Sequence, residues 1–226
     1  MGDWITNPEE LDYDWDQVIE WEGALKSGDI SSGYVPSYGS GLTIGHGIDI
    51  SRQTMADLGE NGAGLSKEAL AQLSDYMATG PGEYGPTHQK GKSGLLTKGN
   101  PLYIYDKDKK RKVKLGDADL KKLNNYYREH TVAKAEGSYN RIRKSKNANN
   151  PPKWEDLTSR QRTIMIDITH NAGDSFIEDS TKILLNAVAT GDWNAVSEEL
   201  RYGQWAEKDK PRHEKRANYL DEEDYK

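Results

Sequence analysis

The stretch from Glu20 to Ser51 contains acidic and hydroxyl side chains of the types that perform acid–base chemistry. Glu22 stands directly before a glycine-rich segment, and Thr43 and Asp49 follow within a short alternation of apolar and small residues. A carboxyl group whose pKa is raised towards neutrality can act as a general acid. What these side chains can do together depends on the elements that position them.

A helix is predicted to position Glu22. It is expected to begin with Asn7 as N-cap and Pro8 at the first helical position, and to end at Gly23. At about 100° per residue, Glu22 continues the apolar stripe while Glu20 lies on the opposite side. The stripe consists of Leu11, Trp15 and Val18. Burial and the negative end of the helix dipole both raise a carboxyl pKa there, so Glu22 is the candidate acid; the alternative is a helix-end residue without chemistry.

From Gly39 to Ser51 the pattern changes to a period of two, which is typical of β-strands. Thr43 and Asp49 share one parity with Gly45 and Gly47, which permit a turn or bulge. The other parity is mainly apolar: Leu42, Ile44, His46, Ile48 and Ile50. We therefore expect one apolar face and one open face that carries a hydroxyl and a carboxylate. The alternative for Asp49 is a turn-forming or strand-end carboxylate.

Composition restricts the class of protein. The 226 residues are 34% hydrophobic and 30% charged, which suits one domain with a sizeable insertion. Because there is no cysteine and the five histidines are scattered, neither a metal site nor a disulfide framework is expected. No run approaches the roughly 18 apolar residues of a membrane span, and no signal segment opens the chain.

Charge is distributed unevenly. The net charge of −6 argues against nucleic acid as a partner. Residues 1–60 carry a net charge of −10, whereas residues 107–146 carry +9. The basic segment either contacts an anionic polymer or forms a solvated lysine-rich surface.

The rest of the chain is predicted to be mainly helical. Capping residues and apolar periodicity indicate helices at 66–80, from 117 onwards, at 158–173, at 180–190 and at 193–202. Residues 80–116 are expected to form an insertion or flap with a hairpin in YIYDKDKKRKVKL. The fold class is therefore α+β, mainly α.

The sequence EGALKSGDISSGYVPSYGSGLTIGHGID resembles the active-site segment of the phage-type lysozymes, glycoside hydrolase family 24 and its relatives. The succession GYVP, SG and TIGxGxD is most similar to the pesticin-like branch, which comprises a bacteriocin muramidase and related effectors. Towards the C-terminus, LTSRQRTIMIDITHNAG, LLNAVATGDWNAVSEEL, Trp205, Arg212 and Arg216 are similar in order. The resemblance spans roughly residues 8–60 and 155–220.

The resemblance implies a lysozyme-like fold with a small β-sheet lobe, a larger helical lobe and an active-site cleft between them. We expect a single catalytic domain over residues 1–226. Its β-containing lobe is expected at about 24–60, the insertion at about 80–116 and the helical lobe at about 117–220.

The activity implied by the resemblance is that of a muramidase, which hydrolyses the β-1,4 bond between N-acetylmuramic acid and N-acetylglucosamine without a cofactor. By position, Glu22 becomes the general acid, Asp49 the second carboxylate and Thr43 the hydroxyl that helps to hold water. Inversion is implied, and it needs a wide gap between the carboxyl groups. Asp29 competes with Asp49, because the second carboxylate precedes the Thr in the phage-lysozyme branch.

Aromatic rings stack on sugar faces and polar groups fix their orientation, so substrate contacts are expected in the loops beside the sheet. The candidates are Tyr34, Tyr38, His46 and Asn171. Arg212 and Arg216 either contact peptide carboxylates of the substrate or form structural ion pairs.

We expect a monomer that binds peptidoglycan glycan strands, and an immunity or inhibitor protein if the chain is an effector. Without a signal segment, it is expected to be made in the bacterial cytoplasm. It would act in the periplasm or at the wall of a target cell after injection, secretion or lysis. The alternatives are a non-catalytic peptidoglycan-binding module and a glycosidase acting on chitin.

Overall fold

The computed structural model describes residues 13–22, 30–35, 41–85, 102–103, 113–144, 151–172, 182–204, 206 and 209–222. The α-helices are α1 Trp15–Glu22, α2 Met55–Leu58, α3 Lys67–Leu73, α4 Asp117–Arg143, α5 Ser159–Ala172, α6 Lys182–Thr190, α7 Trp193–Tyr202 and α8 Lys210–Asp221. The strands are β1 Tyr34–Val35, β2 Thr43–Ile44, β3 Ile48–Asp49 and β4 Leu102–Tyr103. The fold is therefore α+β, mainly helical and lysozyme-like, as predicted.

The chain divides into two compact units. The sheet unit is Glu22–Glu129, and the helical unit is Met1–Trp21 with His130–Lys226. The sheet unit therefore includes much more of the chain than the predicted β-containing lobe at 24–60, because the insertion and the first half of α4 belong to it.

The four strands form one antiparallel sheet in the order β3-β2-β1-β4. Thr43 pairs with Asp49 and Ile44 with Ile48, so β2 and β3 form a hairpin. Its turn contains Gly45 and Gly47 at φ of +66° and +89°, values that L side chains rarely adopt. The predicted role of these glycines in a turn is thus confirmed.

The insertion contributes to the same sheet. Leu102 and Tyr103 of β4 pair with β1, and Lys114 forms an isolated bridge with Ser32. Residues 104–112, which include most of the predicted hairpin, lie outside the described residues. Both described parts of YIYDKDKKRKVKL therefore pair with the chain at 32–35.

The core of the sheet unit lies under the apolar face of the hairpin. The four aliphatic residues of the apolar parity in GLTIGHGIDIS are at most 1% exposed. They pack in one cluster with residues of α2, α3 and α4. The cluster includes Leu42, Ile44, Ile48, Ile50, Leu58, Leu73 and Leu123. The alternation in the sequence thus correctly predicted the buried face.

Capping explains where several helices begin. Ser66 caps α3, and Thr158 with Gln161 forms the predicted reciprocal cap at α5. The first helix differs from the prediction, since α1 begins at Trp15 and the Asp14 carboxylate accepts from the N–H of Gln17 at 2.9 Å. An aspartate at this place supplies the acceptor that the first turn needs. The predicted cap at Asn7 and stop at Gly23 lie outside the described residues.

The helical unit has its own apolar core and one helix that the periodicity did not predict. Fully buried side chains come from α1, α5, α6 and α7: Val18, Ile164, Ile168, Leu184, Val188, Val196 and Leu200. The unpredicted helix is α8, whose buried residues are His213, Arg216 and Ala217. Its inner face is largely polar, so no apolar stripe reveals it; the available signal was Asp209 followed by Pro211 in the first turn.

Candidate active site

Three of the predicted site residues lie side by side in one row across the sheet. Asp49 pairs with Thr43, and Thr43 pairs with Tyr34. Directly opposed residues of antiparallel strands point to the same face. The sheet therefore brings Asp49, Thr43 and Tyr34 together on the face opposite the aliphatic core.

Hydrogen bonds and an ion pair hold the Asp49 carboxylate. Its Oδ1 accepts from the backbone N–H of Ser51 at 3.0 Å and from the Ser51 hydroxyl at 2.5 Å. Its Oδ2 accepts from the Gly41 N–H at 3.3 Å and lies 3.6 Å from Nε of Arg52, whose side chain is 58% exposed. Oδ1 is thus engaged by both donors of Ser51.

Thr43 is less open than predicted. The residue is 3% exposed, and its hydroxyl donates to the carbonyl of Gly41 at 3.3 Å. Its neighbours in the row, Tyr34 and Asp49, are partly buried themselves and flank it on both sides. The face is therefore polar, as expected, but not open at Thr43.

His46 occupies the hairpin turn and is half-buried. Its backbone N–H donates to Oδ1 of Asn124 in α4 at 3.1 Å. An added Cβ at Gly45 would overlap this same Asn124 oxygen. The turn is therefore fastened to α4 through Asn124, which no local sequence pattern identifies because it lies 78 residues away from His46.

Tyr34 lies in β1, where burial raises the pKa of its phenol. The hydroxyl therefore stays protonated at neutral pH and can donate a hydrogen bond.

A comparison with protein families matches most of the chain. The family described as "Pesticin: Bacterial toxin homologue of phage lysozyme, C-term" matches residues 14–194. The chain belongs to the pesticin family. No curated protein was found to match the chain.

The match to the pesticin family contains the three candidate catalytic residues and the four candidate sugar-binding residues, whereas Arg212 and Arg216 lie beyond it. Glu22 is the last residue of α1 in the structure. Its side chain, and that of Asn171 in α5, lie outside the described residues, as do Tyr38 and Asp29. The family supports a muramidase-type or toxin function in general, while the roles of individual residues stay predictions.

Glu20 behaves as the helical period predicted for an outward residue. Its side chain is 59% exposed, lies 3.9 Å from Nζ of Lys215 and accepts a hydrogen bond from Gln17. The preceding apolar positions Trp15 and Val18 are buried. This prediction is confirmed, and it leaves Glu22 as the acidic residue at the end of α1.

Arg212 and Arg216 form structural ion pairs. Arg216 is 1% exposed and pairs with the fully buried Asp167 of α5, and Arg212 lies 3.7 Å from the same carboxylate. Burial first, and then the positive charges of Arg216 and Arg212, lower the pKa of His213 to about 4, against an opposing effect of Asp209. Of the two predicted alternatives, the structure shows the ion pairs.

The described residues of this pesticin-family chain contain no candidate metal site and no membrane-spanning helix. Within the described residues, no group of three or more histidine and acidic side chains is placed to hold a metal ion. Over the same part of the chain, no helix has the length and apolarity that crossing a membrane requires.

Ser51 is a residue of the site that was not predicted from the sequence. This fully buried residue gives two hydrogen bonds to Asp49, which thereby caps the short 3-10 helix Ile50–Arg52. A signal for it exists, because an aspartate followed two residues later by a hydrogen-bond donor is a common local capping pattern. Ser51 is thus the residue that fixes the direction of the Asp49 carboxylate.

Proposed function

We propose that this chain is a muramidase that hydrolyses the β-1,4 bond between N-acetylmuramic acid and N-acetylglucosamine in bacterial peptidoglycan. The observation that carries the proposal is the direct cross-strand pairing of Thr43 with Asp49. The family match that contains both residues, together with Glu22, supports it.

In this mechanism Glu22 is the general acid that protonates the leaving glycosidic oxygen. Its position as the last residue of α1 faces the negative end of the helix dipole, which favours the protonated form of a carboxyl group. Glu20, by contrast, has a 59% exposed side chain that lies 3.9 Å from Nζ of Lys215.

Asp49 is the second carboxylate, which accepts a proton from the attacking water and stabilises positive charge on the sugar. We assign this task to Oδ2, because Oδ1 is committed to both donors of Ser51. The hydroxyl of Thr43, next to Asp49 in the row, holds the water. With a water between the carboxylate and the sugar, the reaction inverts the anomeric configuration.

Tyr34, Tyr38, His46 and Asn171 are proposed to contact the substrate. Tyr34 continues the row of Asp49 and Thr43, and His46 lies in the turn that joins their two strands. A saccharide bound along this row would meet an aromatic ring beside the reacting bond, where stacking can orient it.

A non-catalytic peptidoglycan-binding module is the second candidate. The contacts of Asp49 favour it, because the carboxylate that caps Ile50–Arg52 also has a structural task that needs no reaction. Either protein would work as a monomer in the periplasm or at the wall of a target cell. It would arrive there as a phage lytic protein or as a toxin or effector, and in the effector case it would have an immunity protein.

Loss of turbidity of purified peptidoglycan tests the proposal. The parent is expected to clear the suspension, Glu20→Gln to match it, and Glu22→Gln and Asp49→Asn to lose about 10²-fold or more in rate. The same measurement on a suspension of chitin tests the alternative that the chain is a glycosidase acting on chitin. Asp29→Asn is the matched control for Asp49→Asn: an inactive Asp29→Asn beside an active Asp49→Asn would transfer the second role to Asp29.

A further inference from the structure

A cavity of about 640 Å³ lies in the helical unit, and none of its lining residues is proposed for catalysis. The beginning of α5, the outer face of α7 and the C-terminal end of α8 line it. This volume falls within the range of small-molecule sites in proteins. The part of the lining from Ser197 onwards lies beyond the family match, which ends at residue 194.

Both arginines of the cavity pair with carboxylates of the lining. Arg160 pairs with Glu222 at 2.9 Å, and Arg201 pairs with Asp221 at 2.6 Å. Arg201 also donates to the hydroxyl of Ser197 at 3.1 Å. Because each guanidinium already has a carboxylate, the cavity offers no unbalanced positive charge to an anion.

Several hydrogen-bonding groups of the lining are still available. The side chains of Asn194 and Glu198 make no hydrogen bond or ion pair within the part of the chain that the structure describes. The Oε1 atom of Gln161 accepts from the N–H of Thr158 at 3.0 Å, which leaves the amide NH₂ of Gln161 to donate. The cavity therefore presents amide donors together with amide and carboxylate acceptors.

An aromatic ring completes the lining. Trp193 is half-buried in the wall, and its indole N–H is buried without an acceptor among the described residues. Stacking of such a ring on an apolar ligand face adds to affinity, and a buried unpaired N–H gains from any acceptor that reaches it. An aromatic platform beside amide groups and a carboxylate, without an unpaired positive charge, suits a saccharide better than an anion.

We propose that this cavity binds an N-acetylated saccharide and thereby forms a second glycan site of the chain. Trp193 stacks on a sugar ring, while Gln161, Asn194 and Glu198 bond its hydroxyl and acetamide groups. The choice of peptidoglycan as the natural source of this saccharide rests on the proposed function; the saccharide chemistry itself does not. A second site on the same insoluble polymer raises the effective concentration of the wall at the catalytic residues.

Titration of the full chain with tetra-N-acetylchitotetraose, in the Glu22→Gln background to prevent turnover, tests this proposal. The indole ¹H–¹⁵N resonance of Trp193, assigned by its absence in Trp193→Phe, is expected to shift on titration. Trp193→Ala removes this resonance, so its binding is followed by the side-chain amide resonance of Asn194; it is expected to weaken binding at this site about tenfold. The matched control is Tyr202→Ala on the same helix, since Tyr202 is 82% exposed and does not line the cavity; it should leave binding unchanged.

The double variant Asn194→Ala/Glu198→Ala keeps the test decisive if Trp193→Ala does not fold, because both replaced side chains are exposed. An unmoved Trp193 resonance, or equal binding by the parent and this double variant, would overturn the proposal. So would tighter binding of inorganic phosphate at Trp193 than of the tetrasaccharide. Hydrolysis of peptidoglycan by the parent without binding at Trp193 refutes the second site alone, whereas binding without hydrolysis refutes the proposed function alone.

Discussion

Asp49→Asn, compared with Ser51→Ala, separates a chemical task of this carboxylate from its structural one. The asparagine keeps a carbonyl oxygen that can accept from both donors of Ser51. Its amide NH₂ then replaces Oδ2 and faces the N–H of Gly41, which donates at 3.3 Å in the parent. One hydrogen bond to a charged acceptor is lost, at about 1.5–3 kcal/mol. The exposed Arg52 pair adds less than about 1 kcal/mol.

Asp49→Asn is therefore expected to lower the free energy of unfolding by about 2 kcal/mol, a fall in Tm of about 4–8 °C for a chain of this length. Ser51→Ala also removes one hydrogen bond to the carboxylate, from its hydroxyl, and is expected to cost a similar amount. The two variants are thus matched in stability, but only Asp49→Asn loses the ionised carboxylate.

Their hydrolysis rates should differ. At a temperature where both variants are folded, Asp49→Asn is expected to clear peptidoglycan about 10²–10⁴-fold more slowly than the parent. Ser51→Ala is expected to lose less than about tenfold, because Asp49 remains charged. Urea unfolding supplies the stabilities, and turbidity supplies the rates. Equal losses of rate in the two variants would refute the reasoning, since a carboxylate that only fastens the hairpin explains that result.

Three further predictions concern stability, measured by urea unfolding. Gly45→Ala is expected to lower the free energy of unfolding by about 1 kcal/mol more than Gly47→Ala. Both substitutions place an alanine in the left-handed region, but only the first displaces a hydrogen-bonded side chain. Equal losses of stability would contradict this contact. Asp167→Asn is expected to lower the free energy of unfolding by about 3–5 kcal/mol, because it leaves the buried Arg216 and the partly buried Arg212 without this carboxylate; a loss below about 1 kcal/mol would contradict the buried pair. His213, whose pKa is lowered to about 4 in the folded chain by burial and by neighbouring arginines, binds its proton in the unfolded chain from about pH 6.5 downwards. Stability should therefore fall by about 3 kcal/mol between pH 6.5 and pH 4, and His213→Gln should lose this part of the pH dependence; an unchanged slope would contradict it.

Local patterns predicted the elements that carry the site. The alternation of apolar residues in GLTIGHGIDIS predicted the buried face correctly, and its glycines predicted the turn. The capping residues Ser66 and Thr158 with Gln161 correctly predicted where two helices begin. Helix α7 spans 193–202 as predicted. These features depend on backbone geometry within a few residues, which is why the sequence alone reveals them.

Other features depend on residues distant in sequence, and these escaped prediction. Asn124 meets the hairpin turn only because α4 packs beneath it. Strand β4 pairs with β1, with Tyr34 opposite Tyr103 and Val35 opposite Leu102, a register that neither segment specifies alone. In α8, the buried Arg216 takes a position that periodicity reserves for an apolar residue, because Asp167 of α5 compensates its charge. Tertiary compensation of this kind leaves no local pattern.

The reducing ends released from purified peptidoglycan give the most direct test of the central claim. The fragments produced by the parent are reduced with borohydride and hydrolysed, and the resulting amino-sugar alcohols are identified by mass spectrometry. A muramidase with Glu22 as general acid should yield muramitol, the alcohol of muramic acid, with the parent, and should yield none above background with Glu22→Gln. Glucosaminitol as the new alcohol, or equal muramitol from Glu22→Gln, would contradict the account.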